Sequence, residues 1–168
     1  NMFNGFADKD QVYVKFPETA ASPFSTAAFY IGVRAIVGLA DQVNGEDPTR
    51  FTLIGKENDT DNNISLWVAK NDSDVWQAFL NFGTPSDNYE VVFNLPSDPR
   101  GVDNYFLFMV DIDGGPFFEF YLNGESIGIN SSSATGTPGG TLGGHLFLGN
   151  DFDDHYMLGY ASQAVFYI

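Results

Sequence analysis

The 168-residue chain has no cysteine, so neither a disulfide frame nor thiolate chemistry is open to it. It has two histidines, His145 and His155, too few for a His-rich zinc centre. Basic residues are scarce: 7 Lys and Arg stand against 22 Asp and Glu, a formal net charge of −15. Such a surface repels a phosphate backbone and an anionic lipid leaflet, which argues against nucleic acid and membrane surfaces as partners. Long apolar runs are missing as well. Runs such as "YFLFMV", Tyr105 to Val110, are strand length, so membrane insertion is not expected. No phosphate cradle is present, since "GTPGGTLGG" lacks the Lys and Ser/Thr that a P-loop needs. The sequence opens on Asn1 and reads as a piece of a processed or excised chain, so the lack of a leader excludes nothing.

Aromatic and hairpin chemistry is abundant. Hydrophobic residues make up 43% of the chain and aromatics 16%, with 17 Phe, 8 Tyr and 18 Gly. Without long Ala/Leu/Glu/Lys runs, this mixture indicates an all-β fold with many tight turns and one sizeable core. Strand-like segments recur between turn-rich joints: "QVYVKF", "AAFYIGVRAIVGLA", "RFTLIGKE", "ISLWVAK", "VWQAFLNFG", "YEVVFNL", "YFLFMVDI", "PFFEFYL", "ESIGI", "HLFLGN" and "GYASQAVFYI". The pattern predicts a two-sheet antiparallel β-sandwich. Neither an internal repeat nor a long linker divides it, so residues 1–168 are read as one domain.

Five of these segments, in order, resemble the laminin-G-like branch of the concanavalin A-like jelly rolls. "FADKDQVYVKFPET" is similar to the family's opening strand and "FSTAAFYIGVRA" to the next. "FYLNGESIG" resembles its "YVNG"-type hairpin, "LFLGN" its "LxIGG" strand, and "GYASQAVFY" its closing strand. In that closing strand Ser162 and Gln163 replace the family's acidic pair. The resemblance implies a binding or adhesion fold, often for glycans and often with Ca²⁺ at the sandwich rim. Fold alone does not set function.

Strand parity then sorts the side chains. Phe106, Phe108 and Val110 read as core, which turns Tyr105, Leu107, Met109 and Asp111 outward. Phe118, Phe120 and Leu122 read as core, leaving Phe117, Glu119 and Tyr121 outward. Trp76 reads as core and Trp67 as outward, and Tyr30 and Arg34 also face away from the core. An outer sheet face carrying Trp67, Tyr30, Arg34, Asp111, Glu119 and Tyr121 combines flat rings with polar groups, as sugar recognition requires. Tyr105, Leu107 and Met109 form an apolar stripe suited to contact between copies of the chain. Asp111 and Glu119 could instead serve as a glycosidase pair, with Asp113 on the face of Asp111, but the "E-x-D-x-E" strand of related glycanases is absent, and Asp113 abuts Gly114 as a turn residue does. Three loops offer oxygen ligands for Ca²⁺: Asp8 and Asp10; Asp59, Asp61 and Asn62; and, best, Asp151, Asp153 and Asp154 beside Asn150.

The expectation is therefore a non-catalytic module that binds a glycan or cell-surface ligand, placed outside cells or on a virion surface. The alternative is a structural assembly protein that forms homo-oligomers through its sheet face. A glycoside hydrolase is the third reading.

Overall fold

Alternation of apolar and polar residues becomes strands throughout. The computed structural model describes residues 3–5, 13–16, 28–39, 50–56, 63–83, 88–111, 117–130, 144–149 and 159–167. Among these there are twelve strands and no helix. They are β1 (Phe3–Gly5), β2 (Tyr13–Phe16), β3 (Ala28–Val37), β4 (Phe51–Lys56), β5 (Asn63–Lys70), β6 (Trp76–Gly83), β7 (Asn88–Asn94), β8 (Asp103–Asp111), β9 (Phe117–Leu122), β10 (Glu125–Asn130), β11 (Gly144–Leu148) and β12 (Gly159–Tyr167). All eleven predicted segments are strands. The three-residue β1, "FNG", has no alternation and was not foreseen.

Two six-stranded antiparallel sheets result. Sheet one has the order β1-β12-β3-β8-β9-β10 and sheet two the order β2-β11-β4-β5-β6-β7. The chain is an all-β, two-sheet antiparallel sandwich, as expected.

Local chemistry fixes the joints. Asn123 and Gly124 both adopt positive φ, 55° and 86°, which is what a two-residue hairpin needs between β9 and β10. Asn123 also ties the turn to β8: its Oδ1 accepts the Tyr105 amide at 2.8 Å, and its Nδ2 donates to Asn104 Oδ1 at 2.9 Å. Between β5 and β6, Asn71 Oδ1 accepts the amides of Ser73 and Val75, both at 3.0 Å, an Asx turn that reverses the chain.

The core is the set of inward residues of both sheets. Phe29, Ile31 and Val33 of β3, Phe106, Phe108 and Val110 of β8, and Phe118 and Phe120 of β9 are fully buried. From sheet two, Leu66, Val68, Ala78, Leu80, Val91 and Phe93 face them. Phe93 bridges the layers, its ring 5.8 Å from Phe108 and 5.7 Å from Phe120, while Phe108 and Phe120 are 4.6 Å apart. Such ring contacts add to area burial and fix the sheets' relative position. Trp76 lies in this core, as its parity predicts. Its indole N–H is bonded to Asp98, and the Arg100 guanidinium, paired with Asp98 at 2.8 Å, lies 4.9 Å over its ring.

Candidate ligand-binding face

Because core residues of β3, β8 and β9 point inward, their alternates form the outer face of sheet one. Register puts them in rows. Tyr30 pairs with Met109, Met109 with Glu119, and Glu119 with Ile129. In the adjoining row Gly32 pairs with Leu107, Leu107 with Tyr121, and Tyr121 with Ser126. Arg34 lies opposite Tyr105, one row further, and Asp111 opposite Phe117 at the other end. Of the six residues expected to bind ligand, the structure thus gathers Tyr30, Arg34, Asp111, Glu119 and Tyr121 on one face. The stripe Tyr105, Leu107 and Met109 runs through its middle.

Trp67 does not join them, which corrects the expectation of a shared face. Parity places it outward, but β5 belongs to sheet two, so it lies on the opposite side of the molecule. Its ring is stacked on Phe79 of β6 at 5.1 Å and 5°, and the Arg50 guanidinium is 4.4 Å from its centroid, on the β4 side. With 7% of its surface exposed, Trp67 presents no open ring face for stacking. Neighbouring polar groups are tied up in part: Gln77 Nε2 donates to Asn94 Oδ1 at 2.7 Å.

On sheet one the polar groups form two clusters. Ser126 Oγ donates to Glu119 Oε1 at 2.6 Å, and the Tyr121 hydroxyl donates to the same carboxylate. These bonds, Ser126 first, hold the Glu119 carboxyl below its ordinary value despite some desolvation. The bond to Glu119 in turn raises the Tyr121 phenol, helped by desolvation and by the nearby negative charge. Glu119 is therefore an ionised acceptor framed by hydroxyls. In the second cluster Arg34 grips Asp103: Nε donates at 3.0 and 3.2 Å to the two carboxylate oxygens and Nη2 at 2.6 Å to Oδ2. The fork lowers the Asp103 carboxyl and raises the guanidinium. Asp103 and Ser126 were not singled out from sequence. The Arg34 partner is diagonal to it across β3 and β8, a relation visible only once the register is known.

The surface between the clusters is mixed. Tyr30 is 37% exposed and Ile129 61%, while Leu107, Met109 and Tyr105 are half-buried. Gly32 makes this possible. A Cβ there would lie 2.9 Å from Leu107 Cδ1 and 3.1 Å from the Tyr105 hydroxyl, so both side chains fold down over the bare backbone of β3. The three Ca²⁺ loops, including Asp151, Asp153 and Asp154, lie outside the described residues, as do Asp113 and Asn150. Among the described residues there is no cluster of three metal-ligating side chains.

Comparison with known proteins bears on the fold. No protein-family model matches the chain, and no curated protein sequence does. The laminin-G-like resemblance thus holds for the sandwich and is not confirmed as family membership. Solved structures do match. The Ruminococcus gnavus IT-sialidase CBM40 superposes with a TM-score of 0.62 at 12% identity, covering 99% of this chain and 91% of that one. The same module bound to α2,6-sialyllactose gives 0.56 at 13% identity, covering 99% and 90%. The enzymatically active domain of tailspike protein 2 from bacteriophage CBA120 gives 0.54 at 13% identity, covering 97% of this chain but 28% of that one. These likenesses establish a shared β-sandwich architecture.

Proposed function

We propose that the protein is a non-catalytic carbohydrate-binding module that docks an oligosaccharide on the outer face of sheet one. The observation that carries this reading is the meeting of Tyr30, Met109, Glu119 and Tyr121 in two adjoining register rows, half-exposed, with a carboxylate acceptor oriented by two hydroxyls. Aromatic and thioether surface takes the C–H faces of a pyranose, and an oriented acceptor takes its hydroxyls. The sandwich shared with a CBM40 module supports the same reading. The lowered carboxyl of Glu119 does not suit the acid of a glycosidase pair, a role that needs a raised value, and the "E-x-D-x-E" strand of related glycanases is absent. Such a module works outside cells or on a virion surface.

Isothermal titration against the best oligosaccharide from a glycan array tests the assignment. Tyr30→Ala should weaken binding about tenfold, as expected for a central ring contact. Gln77→Ala, on the opposite sheet, should leave binding intact. The reverse pattern would move the site to sheet two.

The second reading is self-association through the same face, favoured by Ile129 and the stripe Tyr105, Leu107 and Met109. Silence on the array together with a concentration-dependent mass that Ile129→Lys abolishes would establish it instead.

A further inference from the structure

The charge on sheet one bears on which glycans its face can hold. Its six strands contain one cation, Arg34, against four carboxylates, Asp103, Asp111, Glu119 and Glu125. That one cation is already paired with a carboxylate, which offsets its charge. Its Nε and Nη2 edge, one of the edges with which a guanidinium grips a carboxylate in a fork, is closed on Asp103 by three contacts of 2.6 to 3.2 Å. Elsewhere, Lys70 is paired with Asp74 at 2.7 Å and Arg100 with Asp98 at 2.8 Å, and Arg50 lies over the Trp67 ring. All of this sits on a chain of net charge −15.

Glu119 sharpens the point. Its bonds to Ser126 and Tyr121 favour the ionised form, so a negative charge stands fixed in the row that also carries Tyr30 and Met109. An acidic sugar laid across those residues would meet that charge, and among the described residues no guanidinium or ammonium shares that register row. The flanking surface, Leu107, Met109 and Ile129 with the ring of Tyr30, offers apolar area that suits the uncharged faces of a sugar ring.

Resting on the glycan-binding reading above, we infer that the ligand is an uncharged oligosaccharide and that sialylated, sulfated and uronic-acid glycans are rejected. The specificity thereby differs from that of the structurally similar CBM40 module, which binds sialyllactose. The Arg34–Asp103 fork is the specificity-determining device: it removes from the face the group that would recruit an anionic sugar.

A glycan array carrying uncharged oligosaccharides beside their sialylated, sulfated and uronic-acid counterparts tests this, followed by titration of the matched pair that binds best. The uncharged member should bind at least about fivefold more tightly, the effect of one like-charge contact near 4 Å in water. Added salt should narrow the difference and leave the uncharged ligand's affinity unmoved. Asp103→Asn, which releases the Arg34 fork, should shift the ratio toward the acidic member. Tighter binding of the acidic member by the native chain overturns the inference while leaving the glycan-binding reading standing, as does a ratio that neither salt nor Asp103→Asn alters. Silence toward both classes overturns the glycan-binding reading and this inference with it.

Discussion

Alanine placed at Gly32 and at Gly128 should change stability in opposite directions. Both glycines lie in strands of sheet one, where Ala is ordinarily preferred by about 0.5–1 kcal/mol because Gly loses more backbone freedom on folding. Their surroundings differ. At Gly128 a Cβ would meet Phe93 Cδ1 and Cε1 at 3.6 and 3.7 Å, ordinary van der Waals contact with the core. Gly128→Ala should therefore be neutral or stabilise by up to about 1 kcal/mol. At Gly32 a Cβ would stand 2.9 Å from Leu107 Cδ1 and also 2.9 Å from the Phe106 carbonyl oxygen. The leucine can rotate away, but the carbonyl belongs to β8, paired with β3 along its whole length. Overpacking of this kind costs about 1–3 kcal/mol, which outweighs the entropic gain and leaves a net loss of about 1–2 kcal/mol. For a domain of this size that lowers Tm by about 2–8 °C. Thermal unfolding followed by circular dichroism reads both variants, and Gly32→Ala/Leu107→Ala separates the two contacts: removing the leucine should restore only part of the loss, because the carbonyl remains. Equal shifts for the two glycines, or complete rescue by Leu107→Ala, would refute the reasoning.

Other expected outcomes follow from single features. Phe108→Ala removes a ring packed on Phe93 and Phe120 from a fully buried site and should destabilise by about 3–5 kcal/mol in urea titration. Gly124→Ala imposes a side chain at a φ of 86° with no crowding around it, so it should lose about 1 kcal/mol through backbone strain alone, and Asn at that position should lose less. The carboxyls of Asp98, Asp103 and Glu119 are all depressed in the folded state, Asp98 and Asp103 by arginine hydrogen bonds and Glu119 by hydroxyls. As pH falls the unfolded chain therefore takes up protons first. Their contribution is fully present above the ordinary carboxylate range, near pH 4, and is lost below it as the folded forms protonate. Urea midpoints between pH 7 and pH 2.5 should show this fall, and it should be shallower in Asp98→Asn. The Tyr121 phenol should titrate above an ordinary tyrosine by ultraviolet absorbance, and Glu119→Gln should bring it down.

Period-two alternation was enough to locate every strand except β1 and to assign the core residues of β8 and β9, because a half-buried strand writes its inner face directly into the sequence. What alternation cannot carry is which sheet a strand joins. Trp67 illustrates this: its outward parity is right, yet pairing of β5 with β4 and β6 puts it on the far side of the sandwich from Tyr121 and Met109. Cross-strand partners were equally illegible. Arg34 and Asp103 are 69 residues apart, and Glu119 reaches Ser126 because the "NG" hairpin puts Ser126 opposite Tyr121, diagonal to Glu119, and the shift that follows puts Ile129 opposite Glu119. Turn chemistry made that hairpin readable, but not the register shift between Ser126 and Gly128 within it.

On the proposed glycan-binding role, the division between the two sides of sheet one lets binding and stability be varied separately. The rings that join the sheets, Phe93, Phe108 and Phe120, come from inward positions, while Tyr30, Glu119, Tyr121 and Ile129 occupy the alternates. Inward residues are buried, so substitution there lowers the stability of the whole domain. Outward residues keep much of their surface in water both before and after folding, so changes there leave the core contacts intact. Leu107 and Tyr105 are the exception, since they pack onto β3 at Gly32 and connect the face to the backbone beneath it. Substitutions at those two positions are expected to move affinity and Tm together, whereas Tyr30→Ala should move affinity alone. Melting temperatures and glycan affinities measured on the same three variants distinguish a shaped face held by the fold from a set of independent surface contacts.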